Sequence, residues 1–238
     1  MTAQKAPWGM RLEKALMTTF EPMDRSNLYE GVYATIARAL TEGALKPDDK
    51  LRIRALSDQL GVSVTPVRDA ILRLVEAHAL EWRGPKDIRV PRMTARQLDE
   101  VRLIRLRLEG LAARLAAENI DRAGLGTLAD MVAENELARS SGDVAAAVRL
   151  NRQFHFSLCH AAGLPVLRGM VQSLWLRMGP LIASVYEIGG EAMISHHYDI
   201  LRAIERRDGN AADAAIQADI NAAVEFFEKA GILATGTA

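Results

Sequence analysis

The sequence predicts a mostly α-helical protein in two parts. Residues 27–92 read as a small head of three helices and a β-hairpin, residues 93–238 as an all-α antiparallel bundle of about six helices, and residues 1–26 as an N-terminal extension. Three observations lead there. Apolar residues recur at helical spacing over most of the chain, and strand-like segments are confined to one short stretch. Chain-breaking residues cluster early: Pro47, Gly61, Pro66, Gly84, Pro85 and Pro91 cut residues 46–92 into short elements, and such residues thin out after Thr94. Charge divides at the same place. Residues 1–92 carry 15 Lys+Arg against 12 Asp+Glu and residues 93–238 carry 15 against 18, so the zero net charge of the 238-residue chain combines +3 with −3.

In the first part, Val32, Ile36 and Leu40 mark one face of a helix from Leu28 to Gly43. A short helix follows over about Arg54 to Leu60, then a Gly61-Val62-Ser63 turn and a third helix over about Thr65 to His78. Pro66 suits its first turn, where a missing N–H is not missed. Ala70, Leu74 and Ala77 mark its inner face. Leu80–Arg83 and Asp87–Val90 flank Gly84-Pro85-Lys86 as a hairpin. In the second part, helices are predicted over about 95–118, 122–140, 144–161, 165–187, 191–207 and 211–230. Thr94, Asp143 and Asn210 are the expected caps, Gly179-Pro180 the expected kink of the fourth helix, and Gly189-Gly190 the break before the fifth. Connections of a few residues favour antiparallel neighbours.

Composition excludes several classes. At 49% hydrophobic and 25% charged, the chain is neither disordered nor fibrous. A single cysteine, Cys159, forms no internal disulfide and fits a reducing compartment. No apolar run reaches the roughly 18 residues that span a bilayer, and Arg11, Glu13 and Lys14 interrupt any signal-peptide core, so a cytoplasmic location with no membrane partner is expected. Zero net charge also excludes a polycation that coats nucleic acid indiscriminately.

Two short helices joined by a tight turn and followed by a hairpin form a winged helix-turn-helix, which offers its second helix to the DNA major groove. Ser63-Val64-Thr65-Pro66-Val67-Arg68 places hydroxyls and a cation at the start of that helix. Backbone N–H groups there favour a phosphate, and Arg68 one turn in reaches a base edge or the backbone. Arg54 begins the preceding helix, and Lys86 sits at the hairpin tip beside Gly84. The run Leu56 to Leu74, reading LSDQLGVSVTPVRDAILRL, resembles the signature of the GntR family of bacterial transcription regulators, and the match extends back through Gly43–Pro47 and covers roughly 28–92. The resemblance implies that Arg54, Ser63, Thr65, Arg68, Gly84 and Lys86 occupy DNA-contacting positions. Val64 stands where the family usually carries Arg, which implies weaker binding or a changed base preference.

The segment Glu100 to Ala117 resembles the opening of the FCD effector domain of the FadR subgroup, and Phe154-His155 and His197 to Ile204 follow in the expected order. In that segment Val101, Arg105, Leu108 and Ala112 share one stripe. An arginine there needs a partner, because an unpaired buried charge is costly. The stripe leaves two partners open: a ligand carboxylate, or an Asp or Glu of a neighbouring helix. The resemblance favours the first, since the family uses an Arg at this position for acidic effectors. Asn151 and His155 lie one helical turn apart, His197 shares a stripe with Ile200 and Ile204, and Asp219 lies beside Ile216 and Ile220. Two imidazoles and oxygen donors from three helices can meet at one cation. Many FCD domains bind a divalent metal through an Asp and a His four residues on, then two further His. The matching positions here are Asn151, His155, His197 and Asp219. One carboxylate is lost and one gained, which implies an altered site that prefers Zn or Ni over Mn but tilts toward harder cations. A metal-free pocket that hydrogen-bonds an organic ligand is the competing reading, and His160 and His196 are read as surface residues.

The sequence therefore predicts a homodimeric regulator, since a helix-turn-helix reads a two-fold operator with two copies. A small organic acid in the bundle, with or without a metal, would control its affinity for double-stranded operator DNA. Two rivals stand beside it. One is a metal-dependent enzyme with an accessory DNA-binding module, against which no nucleophile or general base stands out near His155 or His197. The other is a DNA-binding protein with a purely structural bundle.

Overall fold

The computed structural model describes residues 26–84, 86–188 and 191–234. All but Ser26 of the expected extension, Pro85 at the hairpin tip and the Gly189-Gly190 break lie outside the described residues. The head contains α1 (Ser26–Thr41), β1 (Lys50–Leu51), α2 (Ile53–Leu60), α3 (Val64–Glu76), β2 (Glu81–Gly84) and β3 (Asp87–Arg89). The bundle contains α4 (Ala95–Asn119), α5 (Arg122–Ser140), α6 (Val144–Ala161), α7 (Pro165–Ile188), α8 (Glu191–Glu205) and α9 (Gly209–Lys229).

In the head, Val32, Ile36 and Leu40 of α1 are buried against Val67, Ala70, Ile71 and Leu74 of α3, which is the amphipathic packing their spacing requires. Gly61 caps α2 at φ 64°, a left-handed conformation that costs glycine nothing, and so turns the chain sharply into α3. α3 ends two residues earlier than expected. Ala77 is its C-cap and His78 adopts φ 56°, so neither continues the helix. The hairpin is one edge of a three-stranded antiparallel sheet in the order β1-β3-β2, with Leu51 and Trp82 both opposite Ile88. β1 has only two residues, too few to show alternation in the sequence.

The bundle helices begin at local signals. Thr94 and Gln97 form a reciprocal capping box at α4. Asp121 caps α5 and Asp143 caps α6. At α9 the cap is Asp208, whose side chain accepts from the Ala211 N–H at 2.9 Å, and not Asn210, which lies inside the first turn. α7 runs through Pro180 as one helix, and the glycine before it has a packing role. A Cβ at Gly179 would run into the backbone of Leu40 and Thr41, so its absence lets α7 press directly on α1. Leu176, one turn earlier, completes the head's own core. Arg177 donates to the Ala77 carbonyl at 3.0 Å, and Arg152 pairs with Glu42 at 2.8 Å. The chain returns to the connection between the two parts at Ala234, whose N–H donates to the Met93 carbonyl at 3.0 Å.

Two apolar clusters fill the bundle. On α4, Leu98 and Val101 belong to one and Ala113, Ala116 and Ala117 to the other; on α9, Ala223, Val224 and Phe227 belong to the first and Ala212, Ile216 and Ile220 to the second. Arg105 and Glu109 of α4 and Asp219 of α9 sit where the clusters meet.

Candidate functional site

The helix-turn-helix presents the residues singled out for DNA. Arg54 in the first turn of α2 is exposed, as are Ser63, Thr65 and Arg68 around the start of α3. Ser63 is the N-cap of α3 yet makes no side-chain cap bond, which leaves its hydroxyl and the first backbone N–H groups open to an anion. Val64 is exposed beside it. Gly84 closes β2 at an irregular register with β3, and Lys86 is exposed just past it. Arg54, Arg68 and Lys86 make no ion pair among the described residues.

In the bundle the structure gathers residues from five helices. Arg105 and Glu109 (α4), Asn151 and His155 (α6), His197 (α8) and Asp219 (α9) are all exposed by 3% or less, and Trp175 (α7) is fully buried beside them. Arg105 has a counter-charge on its own helix, which is neither of the two partners its stripe left open. Its Nε donates to Glu109 Oε1 at 2.5 Å, one turn along the same helix, and its guanidinium lies 5.0 Å from the Trp175 ring. Burying an arginine requires a counter-charge, and the Arg-x-x-x-Glu spacing supplies one locally. That spacing was the signal for Glu109, which sequence reasoning missed along with Trp175.

Glu109 is shared three ways. Besides Arg105, its Oε1 accepts from Trp175 Nε1 at 3.2 Å and its Oε2 lies 2.7 Å from His155 Nδ1. With Nδ1 engaged, His155 turns Nε2 toward Asp219 Oδ2 at 3.4 Å. His197 stacks on Phe154 with ring centroids 4.4 Å apart, and its Nε2 lies 3.7 Å from Asp219 Oδ1. One ligand atom each from His155, His197 and Asp219 falls within 4.8 Å of the others. Both nitrogens of His197, Oδ1 of Asp219 and Oδ1 of Asn151 are buried without a hydrogen-bond partner. Such orphans are costly, and those of His197 and Asp219 belong to the three-residue group whose ligand atoms lie together, so that donor set fits a divalent cation. Glu109 then holds His155 from behind, as carboxylates do for ligating histidines. His160 is exposed, 3.2 Å from Arg168, and His196 is half-buried, so neither joins the cluster.

Without a cation the charges balance among themselves. Burial alone pushes the Glu109 carboxyl up, but the charges of Arg105 and His155 and their hydrogen bonds overcome this and hold it at about 2. Burial works to lower the His155 pKa, and the Glu109 charge with the Asp219 hydrogen bond raises it to about 9. His197 goes the other way: burial outweighs Asp219, and the positive charge of His155 adds to the drop, to about 4. Burial raises the Asp219 carboxyl, yet its contact with His155 leads a set of attractions that bring it below its usual value. One imidazole is thus cationic and the other neutral at pH 7.

An exposed, cation-bearing recognition helix with a wing, joined to a bundle whose centre is polar and incompletely satisfied, defines a DNA-binding transcription regulator. Comparison with known proteins makes the class specific. Residues 28–90 match the model for bacterial regulatory proteins of the gntR family, and residues 100–222 match the FCD domain. The HTH-type transcriptional regulator McbR of Escherichia coli K12 is 37% identical over 173 residues, 71% of this chain and 78% of that protein. The solved structure of E. coli McbR/YncC superposes with a TM-score of 0.80 at 32% identity, over 86% of this chain and 98% of that one. The HTH-type transcriptional repressor RspR of E. coli K12 is 22% identical over 187 residues, 78% of this chain and 82% of that protein. A GntR transcriptional regulator from Rhodococcus sp. RHA1 shares the fold at a TM-score of 0.73 and 17% identity, over 86% of this chain and 99% of that one. The chain belongs to the GntR family of transcription regulators, in the group that carries an FCD domain. No helix among the described residues is long and apolar enough to cross a membrane.

Proposed function

We propose that this regulator binds a two-fold operator as a homodimer and that a small organic acid in the polar centre of the bundle controls its affinity. Arg54, Ser63, Thr65, Arg68, Gly84 and Lys86 contact the DNA: the Ser63 and Thr65 region and Lys86 engage phosphates, and Arg68 engages a base edge or the backbone. The observation that carries the effector reading is the buried group of His155, His197 and Asp219, in which both His197 nitrogens and Asp219 Oδ1 have no hydrogen-bond partner. His155, His197 and Asp219, with Asn151 one turn before His155, would hold a divalent cation, with Zn or Ni preferred over Mn. When bound, the cation supplies positive charge to which a carboxylate is drawn. Arg105 has Nε engaged by Glu109, but its Nη2 makes no hydrogen bond among the described residues and is the atom we assign to the effector carboxylate.

The protein acts as a sensor and not an enzyme in this reading, because His155, His197 and Asp219 are taken up as ligands to the cation and leave no further base or nucleophile beside it in the cluster. An effector shifts DNA binding only through unequal affinity for the competent and incompetent arrangements of the two heads. α7 is the element placed to carry that difference, since it lines the polar centre with Trp175 and packs on α1 at Gly179. A thermal-shift panel of Zn, Ni and Mn on chelator-treated protein, followed by organic acids on the loaded protein, tests this. The expected result is a melting temperature raised by one metal and raised again by an acid, since ligands specific for the folded state stabilise it. No response to any metal or acid would favour a purely structural bundle.

A further inference from the structure

The inner face of α4 is buried, and its outer face carries an exposed pattern that nothing among the described residues covers. Leu103, Ile104 and Leu111 are 52%, 41% and 42% exposed, an apolar concentration on one solvent-facing helix. They lie within a longer straight stripe. At 100° per residue, Leu103, Arg107 and Leu111 line up, Arg96 and Glu100 continue the line toward the N-terminus, and Arg114 and Glu118 continue it toward the C-terminus. All of these are exposed. From Arg96 onward the steps along the stripe are 4, 3, 4, 4, 3 and 4 residues, a spacing symmetric about Arg107.

The charges are antisymmetric about the same point. Arg96 and Glu100 precede the first leucine, and Arg114 and Glu118 follow the second. An antiparallel copy of α4 centred on Arg107 therefore sets Leu103 on the partner's Leu111, Glu100 on the partner's Arg114, and Arg96 on the partner's Glu118. Two-fold symmetry repeats each contact, as an isologous interface requires. A parallel copy would set every like charge against its like. Arg96 and Glu100 make no ion pair among the described residues, and Arg114 reaches Glu118 only at 3.9 Å with both side chains about half exposed. These charges are free to pair outward. The single repulsive contact is Arg107 against its own copy, where long stems let the two cations swing apart into water.

We infer that the outer face of α4 docks a second copy of this chain, antiparallel, with the two-fold axis at Arg107. The inference rests on the homodimer of the preceding subsection and adds the face, direction and register. Sedimentation velocity of the full chain at low salt tests it, with circular dichroism to confirm that each variant is folded. Glu100→Arg and Arg114→Glu, made singly, each turn two attractive pairs into repulsive ones and should raise the dimer dissociation constant roughly tenfold or more. The double variant exchanges the charges, recreates both pairs and should return the constant to near the native value. Singly altered proteins that dimerise as tightly as native protein would overturn the face while leaving the homodimer intact. Loss in both single variants without recovery in the double variant would overturn the register. A native protein that binds its operator while sedimenting as a monomer would remove the homodimer reading itself.

Discussion

The recognition helix and the bundle centre use arginine in opposite ways. Arg54 and Arg68 lie on the surface of the head with no ion pair among the described residues. Arg105 is 2% exposed and bonded to Glu109. The outer pair can stay unpaired because water solvates it at little cost until a phosphate or base displaces that water. The inner one has no water, so the chain must contain its counter-charge. What remains unsatisfied inside is the second half of the network, on His197, Asp219 and Asn151. The difference teaches where to look for ligands. On a surface, an unpaired cation is the signal; in a core, it is an orphaned acceptor or lone pair beside charges that are already balanced.

Altering the counter-charge should break this contrast most severely. Glu109→Ala leaves Arg105 buried without its counter-charge and His155 with Asp219 alone, and should cost about 3–5 kcal/mol in urea unfolding, with most of the loss recovered when Arg105 is replaced by Met as well. A Glu109→Ala protein with the native unfolding midpoint would show that the buried network is not the demanding half of the comparison.

Next in size is the pH response of chelator-treated protein. His197 has its folded pKa lowered to about 4, so the unfolded state binds its proton first, and its contribution is full above about 6.5 and lost as the pH falls toward 4. His155, raised to about 9, contributes fully below about 6.5 and loses its contribution as the pH rises through 9. Each arm is on the order of 3 kcal/mol. A denaturation series from pH 4 to 9.5 should fall on both sides, and His197→Gln should flatten the acid arm alone.

In the head, Arg68→Ala should weaken operator binding by about 1–3 kcal/mol, read by fluorescence anisotropy, and leave unfolding nearly unchanged because Arg68 is exposed and makes no ion pair among the described residues. A large loss of stability in this variant would erase the contrast between outer and inner arginines. The smallest effect expected is at the joint between the two regions. Thr94→Ala removes one half of the capping box and should cost about 1 kcal/mol of stability.

Much of the fold was legible from neighbours in sequence. Helix starts at Thr94, Asp121 and Asp143, the left-handed turn at Gly61 and the burial of Val32, Ile36 and Leu40 all follow from interactions within about four residues. Where two local signals competed, as Asp208 and Asn210 do before α9, the sequence pattern pointed to Asn210 and the folded helix uses Asp208. β1 was invisible because a two-residue strand is defined by its partner at Ile88 and Arg89 and not by its own pattern.

The site divides in the same way. By itself the sequence determined the family, through the GntR-like run from Leu56 to Leu74, and picked out Arg105, Asn151, His155, His197 and Asp219 as polar residues against apolar periodicity, though not Glu109 or Trp175. Tertiary structure decided what those residues do to each other. It joined Glu109 to His155 across 46 positions and to Trp175 across 66, turning an arginine that looked available into one largely engaged. It also placed Gly179 against the backbone of α1, so that the helix bearing Trp175 rests on the DNA-reading head. The physical reason is range: caps and periodicity act within a helical turn or two, whereas the partner of a buried charge is set by which helices pack together.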